Sequence, residues 1–414
     1  MKRPHGTHTD VIVVGAGLAG LTCALDLTAA GLSVAVLEAS DAVGGRMRTD
    51  RHRGFLLDRG FQVFNTSYPQ VKRRLRLADL RLRPFTPGVL VHTPRGRVRF
   101  GDPTRRPRDA AALVTGRHVP ARDLLALGAL TARDTLLPPR VLKGLPEYTT
   151  LTELSRAGVS EEVVDGLVRP FLAGVFLEDE LRTTSRMFHL VWRSFVRGSM
   201  TLPAAGVGTV PAQLAGGLPV GTVETGTPVS GVDGGGVTLA DGSVRTAPSV
   251  VVATDAATAS ALVPHLDPPR TRTVTTYHHA AAAPPLREPT LLLDAERRFL
   301  NTAVLSEVVP GYASDGRALV STSVLGADAP GREESLRDVL AEVYGTETGG
   351  WELLAARTVR GALPAMDPPW PLSRTTRIAD GLHVCGDHRA TGSVQGAMAS
   401  GTRAAREVLA GRAR

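Results

Sequence analysis

At 414 residues the chain exceeds the size at which one hydrophobic core stops growing, so two domains are expected, and 43% hydrophobic with 21% charged residues excludes a disordered or fibrous chain. The net charge of +8 is nearly all arginine, because Lys2, Lys72 and Lys143 are the only lysines. Two cysteines in no metal-like spacing, no apolar h-region in "MKRPHGTHTD" and no apolar run of about 18 residues predict a cytoplasmic protein without a structural zinc, a disulfide framework or a membrane span.

The first predicted elements are strand, turn, helix and strand in "DVIVVGAGLAGLTCALDLTAAGLSVAVLEAS". Val11 to Val14 form a continuous apolar run, as in a parallel strand covered on both faces. Gly15, Gly17 and Gly20 follow in G-x-G-x-x-G spacing: the first permits the turn, the second lets a pyrophosphate approach the backbone, the third lets the helix sit close to the sheet. Gly31 is placed to end that helix in a left-handed cap. The second strand ends in Glu38, whose carboxylate can accept from both ribose hydroxyls and would repel a 2′-phosphate, so the nucleotide is NAD or FAD rather than NADP.

Directly after this strand, "ASDAVGGRMRT" carries Gly44, Gly45 and Arg46, and the whole segment resembles the E-x-x-x-x-x-G-G-R pattern of the flavin amine oxidase, phytoene desaturase and protoporphyrinogen oxidase superfamily. The resemblance implies an α/β fold, with a Rossmann-like FAD-binding domain (parallel sheet plus β-meander) interleaved with an α+β substrate domain. It implies that Leu18, Ala19 and Ala39, beside the glycines and Glu38, meet non-covalent FAD, and that Arg46 approaches phosphate or flavin, where a planar guanidinium pairs bidentately. "GFLLDRGFQVF" resembles the segment that returns to the flavin and adds Gly60 and Phe61.

Between residues 66 and 110, twelve Lys or Arg stand against three Asp. A peripheral contact with anionic lipid is one reading and a solvated arginine-rich face the other; aromatic residues are not interleaved, so nucleic acid is not expected. Helical spacing follows in "ARDLLALGALTARDTLL" and in "TLTELSRAGVSEEVVDGLVRPFLAGVF", with Ser160 at an N-cap; "EDE" at 178 to 180 reads as a solvated turn. "GVGTVPAQLAGGL" is a glycine turn into a helix, not a second dinucleotide site, since no apolar strand precedes it and Pro211 replaces the third glycine.

Alternating strands with Asp-Gly turns then lead to the buried strand "SVVVATDA", which resembles the family's second FAD segment with Val229 at the adenine. Strands around "TLLLDA" and "RALVSTSVLG" and a helix in "REESLRDVLAEVYG" continue the substrate domain, and His278 and His279, adjacent on a strand, face opposite ways and cannot share a metal. The order is FAD-binding 1–65, the helical part of the substrate domain 66–204, FAD-binding 205–262, the sheet part of the substrate domain 263–370 and FAD-binding 371–414.

"GLHVCGDHRATGSVQGAMASG" closes the chain. The resemblance implies that Gly386 and Asp387 address the middle of FAD, that Gly392, Ser393, Val394 and Gln395 pass the flavin ring, and that the following helix dipole stabilises its reduced form. His388 and Arg360 are the catalytic candidates. The family's amine oxidases carry a lysine and an aromatic pair near the flavin; this chain has no lysine after Lys143, and the expectation is desaturation or oxidation of a largely apolar small molecule by hydride transfer to flavin N5, with oxygen, a quinone or another acceptor taking the electrons. The alternatives are an amine or amino-acid oxidase and, without catalysis, a prenyl- or lipid-binding protein resembling Rab GDP-dissociation inhibitors.

Overall fold

The computed structural model describes residues 9–60, 63–101, 105 and 119–412. β1 (Val11–Val14) is four β-branched residues buried on both faces, which makes it the centre of a sheet; α1 (Leu18–Ala29) and β2 (Val34–Leu37) complete the first crossover. A hairpin of Thr49–His52 and Phe55–Asp58 follows. The stretch from 66 to 204 is not only helical. β3 (Val89–Thr93) and β4 (Gly96–Phe100) form a hairpin that joins the second large sheet, before α2 (Ala121–Leu136), α3 (Thr150–Arg156), α4 (Arg169–Phe176) and α5 (Ser185–Arg197).

α6 (Thr209–Ala215) and β5 (Val223–Glu224) return to the first sheet, a three-stranded meander spans Val229 to Thr246, and β6 (Ser249–Val252) lies beside β1. The chain then builds β7 (Thr271–Ala281), β8 (Leu292–Asp294), β9 (Asn301–Val304), β10 (Ala318–Leu325), α7 (Arg332–Tyr344) and β11 (Glu352–Pro364). It ends on β12 (Arg377–Ala379), β13 (Leu382–Val384) and α8 (Val394–Arg412).

The first sheet runs β5-β2-β1-β6-β13-β12, parallel except for β12; the second runs β11-β7-β10-β9-β8-β3-β4, antiparallel except where β8 meets β3. One core lies on the α1 and α8 side of the first sheet and reaches the inner face of the second; another fills the meander side; a third holds the helical layer around Leu130, Leu154, Leu172 and Phe188. In that layer the imidazole of His189 sits 2.9 Å from Asp134 Oδ2, and Arg133 donates to Glu153 at 3.1 Å, so buried charges that tie α2, α3 and α5 are paired.

Two local expectations change. Ser160 does occupy an N-cap position, but its hydroxyl makes no capping bond, and its backbone N–H donates to the buried Asp123 instead. The "EDE" turn is not solvated at its first residue. Glu178 is buried and accepts from Glu180 N, Thr183 N and Thr183 Oγ1, bracing a loop whose ends, Leu177 and Leu181, both adopt positive φ.

Candidate functional site

The site assembles at the C-terminal edge of the parallel sheet, around the N-terminus of α1, where such folds bind ligands. Gly15 has φ +103 and its N–H donates to Leu37 O at 2.7 Å; a side chain there would press on Ala253 O. Gly17 caps α1 without a side-chain bond, and a Cβ on it would meet nothing within 4 Å, so the first turn of the helix is open to an approaching group. Gly20 has the opposite constraint: its Cβ would lie 2.0 Å from Gly15 O. Leu18 and Ala19 are buried behind it.

Glu38 is buried at the end of β2 and accepts from Ala16 N at 2.7 Å and Ser40 N at 2.9 Å, so its carboxylate is fixed beside the turn; Ala39 is exposed. Gly44 donates to Ala16 O at 2.9 Å, which clamps the Gly-Gly-Arg segment over the same turn, and a Cβ on Gly45 would lie 3.5 Å from the Gly17 Cα. Arg46 then reaches across the fold. Its Nη2 donates to Asp387 Oδ1 at 2.7 Å, and its Nη1 to the carbonyls of Ala362 at 2.7 Å and Gly361 at 3.3 Å, so first, fourth and fifth chain segments meet at one guanidinium. About a third of that side chain stays exposed (32%), while Asp387 is nearly covered. The Asp387 charge, working against burial, holds the Arg46 guanidinium above its ordinary range.

Gly60 (φ +86) faces β11: a Cβ there would be 3.7 Å from Val359 Cγ2. Phe61 lies outside the described residues. Gly386 (φ +151) sits against the His388 ring, which a Cβ would approach to 2.5 Å. His388 is buried, both ring nitrogens are buried without a partner, and burial pushes its pKa down to about 4, so the imidazole is neutral near pH 7. Gly392 is covered by Leu363, Pro364 and Met366, and its N–H points at Met366 Sδ at 3.2 Å. Ser393 Oγ caps α8 by accepting from Gly396 N at 3.0 Å, and Gln395 Oε1 accepts from Gln70 N at 2.9 Å, which turns that amide toward the helix Pro69–Arg74. Val394, partly buried, opens α8.

The small residues of α8 meet α1. A Cβ on Gly401 would lie 2.1 Å from Ala19 O, so the close approach is to α1. Val229 lies on the meander, partly buried against the Ile12 and Leu37 core, two residues beyond the bond from Thr227 N to Glu38 O. Arg360 is exposed, while the neighbouring carbonyls on β11 take part in the site. Cys385 is buried, and burial pushes its thiol up to about 12. Within the basic stretch, Arg74 is paired with Asp26, Arg99 with Glu288, and Arg105 donates to backbone carbonyls; Arg106 and Arg108 lie outside the described residues.

Sequence reading missed Asp58. This buried carboxylate accepts from Thr49 Oγ1, Val207 N at 3.0 Å and Tyr312 Oη at 2.8 Å, joining three segments beneath the site, and burial raises its pKa to about 6. An acid closing the apolar strand "FLLD" was the available signal. Among the described residues no group of His, Cys, Asp and Glu could hold a metal, and no helix is long and apolar enough to cross a membrane.

The family model described as flavin containing amine oxidoreductase matches residues 18–409. Protoporphyrinogen oxidase 2, chloroplastic/mitochondrial, of Arabidopsis thaliana is 31% identical over 176 residues, 41% of this chain and 33% of that protein. An L-amino-acid oxidase of Crotalus adamanteus is 42% identical over 76 residues, 18% of this chain and 15% of that protein. The chain thus spans a third or less of the length of these curated relatives in the matched regions. The crystal structure of an oxidoreductase from Methanosarcina mazei superposes with a TM-score of 0.71 at 18% identity, covering 97% of this chain and all of that one, which shows the shared fold.

Proposed function

The chain belongs to the flavin-containing amine oxidoreductases, and from that premise we propose that it is a cytoplasmic FAD-dependent oxidoreductase of desaturase or oxidase type, holding FAD non-covalently and dehydrogenating a small, largely apolar molecule. The observation that carries the reading is the convergence of the open Gly17 turn, the fixed Glu38 carboxylate, the Gly-Gly-Arg clamp and Asp387 around one helix N-terminus. These residues fit a dinucleotide: the α1 N-terminus and Arg46 suit a pyrophosphate, Glu38 suits a ribose diol, and the unpartnered nitrogens of His388 leave polar capacity beside Asp387.

When bound, FAD would accept a hydride from the substrate and pass the electrons to oxygen, a quinone or another acceptor. The chain's own share is placement. Arg46 and Asp387 fix the seam between the nucleotide sheet and β11, neutral His388 can donate a hydrogen bond at one ring nitrogen and accept one at the other, and the cover of Leu363, Pro364 and Met366 over Gly392 excludes water. Both cysteines are free and buried, which supports a reducing compartment and a flavin that is not thioether-linked. Val229 and the 392–395 loop are assigned to the adenine and flavin ends by the family resemblance.

Purified protein should be yellow with about one flavin per chain, released by acid precipitation. A colourless protein that gains no flavin absorbance on adding FAD would sink the proposal. Anaerobic bleaching against amines, polyenes and porphyrinogens then separates the readings: bleaching by amines alone would assign an amine oxidase.

A further inference from the structure

Strand register divides the large sheet into two faces. Tyr277, Val304 and Val320 point outward and pack on α7, and His279 bonds Glu333 there at 2.8 Å. The inner face looks toward the nucleotide domain. Across it runs a row of Arg357, Thr276, Ser323 and Asn301, from β11 through β7 and β10 to β9, and the next row is Ala355, His278, Ser321 and Ala303. Apolar rows flank both, with Val359, Val274 and Leu325 on one side and Ala280 and Leu319 on the other. Two polar rows thus interrupt an apolar inner wall.

Thr276 and Ser323 satisfy each other, hydroxyl to hydroxyl at 3.0 Å. Their neighbours are unsatisfied: Asn301 Oδ1, Ser321 Oγ and His278 Nδ1 are buried with no hydrogen-bond partner, and the three residues are 7%, 1% and 1% exposed. Unpaired buried polar groups are costly and uncommon, so three at adjacent positions of one wall call for a partner that is not part of the chain. The wall is continuous with the candidate site through Val359, which faces Gly60, and through the β11 carbonyls that receive Arg46. Over its far end lies Gly174 of α4, where a Cβ would come within 3.0 Å of Asn301 Nδ2; glycine leaves that amide uncrowded.

The wall also carries a charge specification. Burial pushes the His278 pKa down to about 3, so it is neutral, and Arg357 is already 3.3 Å from Asp50. An ammonium or carboxylate laid on Asn301 and Ser321 would lose its water without gaining a counter-ion. Asn301 is three strands from β11, about 14 Å at about 4.8 Å per strand, which suits an elongated molecule.

We infer that Asn301, Ser321 and His278 form a recognition wall for a neutral group that both donates and accepts hydrogen bonds, such as a carboxamide or lactam, on an elongated and otherwise apolar substrate. The inference rests on the proposed flavin enzyme for calling that ligand a substrate, and it narrows "largely apolar" to apolar with one neutral polar end.

The test uses four probes of one shape, biphenyl-4-carboxamide, biphenyl-4-carboxylate, biphenyl-4-methylamine and 4-ethylbiphenyl, titrated into flavin-loaded protein by calorimetry. The carboxamide should bind about tenfold or more tighter than each of the others, and Ser321→Ala and Asn301→Leu should each remove that preference while 4-ethylbiphenyl binds as before. Tighter binding of the amine, the carboxylate or the hydrocarbon overturns the inference, as do equal binding of all four, as expected if these groups merely hold water, no carboxamide binding, and a preference that survives both variants. Ser321→Ala removes one oxygen and serves as the variant least able to perturb folding. Flavin content is read separately: absent flavin refutes the proposed function, whereas yellow wild-type protein that shows no head-group preference refutes only this wall.

Discussion

Asp58 shows how one buried group can be read in solution. Its carboxyl takes three hydrogen bonds, each of which favours the ionised form, yet desolvation outweighs them and lifts the pKa from 3.8 to about 6. The folded state therefore binds more protons than the unfolded chain between those values. Its contribution is fully present below about pH 4, falls as pH rises through about 6, and is flat above. Asp58→Asn removes the titration, so wild type should lose about 3 kcal/mol relative to the variant between about pH 4 and pH 7, from two pKa units at about 1.4 kcal/mol each. Urea unfolding of both proteins across that range checks it, and parallel stability profiles would refute the assignment. His388 has the opposite sign: its folded pKa is depressed from 6.5 to about 4, so its contribution is present above 6.5 and lost as pH falls toward 4. Arg46 titrates nowhere in this range, and its variant tests geometry instead. Arg46→Lys keeps the charge but cannot reach Asp387 and the β11 carbonyls together, so FAD affinity should fall about tenfold or more, measured by flavin fluorescence on dilution.

At the scale of elements, the close contact of α8 with α1 determines which glycines matter. Gly401→Val would force a side chain into a position 2.1 Å from Ala19 O, backbone that cannot swing aside, whereas Gly411→Ala on the same helix meets nothing within 4 Å. The first should cost about 3 kcal/mol or more and reduce flavin retention, since α1 carries the Gly17 turn; the second should leave stability within about 0.5 kcal/mol. Thermal melts that move equally would show that the helices do not meet this way. The same contact explains what could be read in advance. The β1–α1–β2 unit, its three glycines and Glu38 were legible because their spacing is local: Gly15 turns at positive φ and Gly20 packs on the Gly15 carbonyl of the same turn. That α8 lies on α1 was not legible. Nothing local tells a helix near residue 400 that it lies on one near residue 20. Arg46 with Asp387, 341 residues apart, and Asp58 with Tyr312, 254 apart, were likewise hidden, because those pairs exist only once the sheets have docked. The hairpin β3–β4 was not legible because the alternation in "GRVRF" spans only five residues of a stretch dominated by charge.

Across the whole molecule the two sheets are layered but not independent. The first takes its strands from residues 11–37, 223–252 and 377–384, the second from 89–100 and 271–364, so each is finished only after the chain has passed through the other. Loop closure across such spans is entropically unfavourable until the returning strand is in register, which couples the ordering of one sheet to that of its neighbour. The seam adds direct ties: Arg46 to the carbonyls of β11, Asp58 to Tyr312, and Arg357 to Asp50 at 3.3 Å. Two domains of ordinary size joined by linkers commonly melt separately. Here calorimetry of flavin-free protein should show one transition, with calorimetric and van't Hoff enthalpies in agreement, and saturating FAD should shift that single peak upward by mass action. Two resolved peaks, or a shift of only part of the heat on adding FAD, would mean that the helical and second-sheet layer folds without the nucleotide layer. Tyr312→Phe sharpens the question, since it removes one hydrogen bond from the seam and leaves both cores intact. If the seam enforces cooperativity, the variant should melt earlier, still in one step, by about one to two degrees, which is what about 1 kcal/mol or somewhat more represents in a chain of this length.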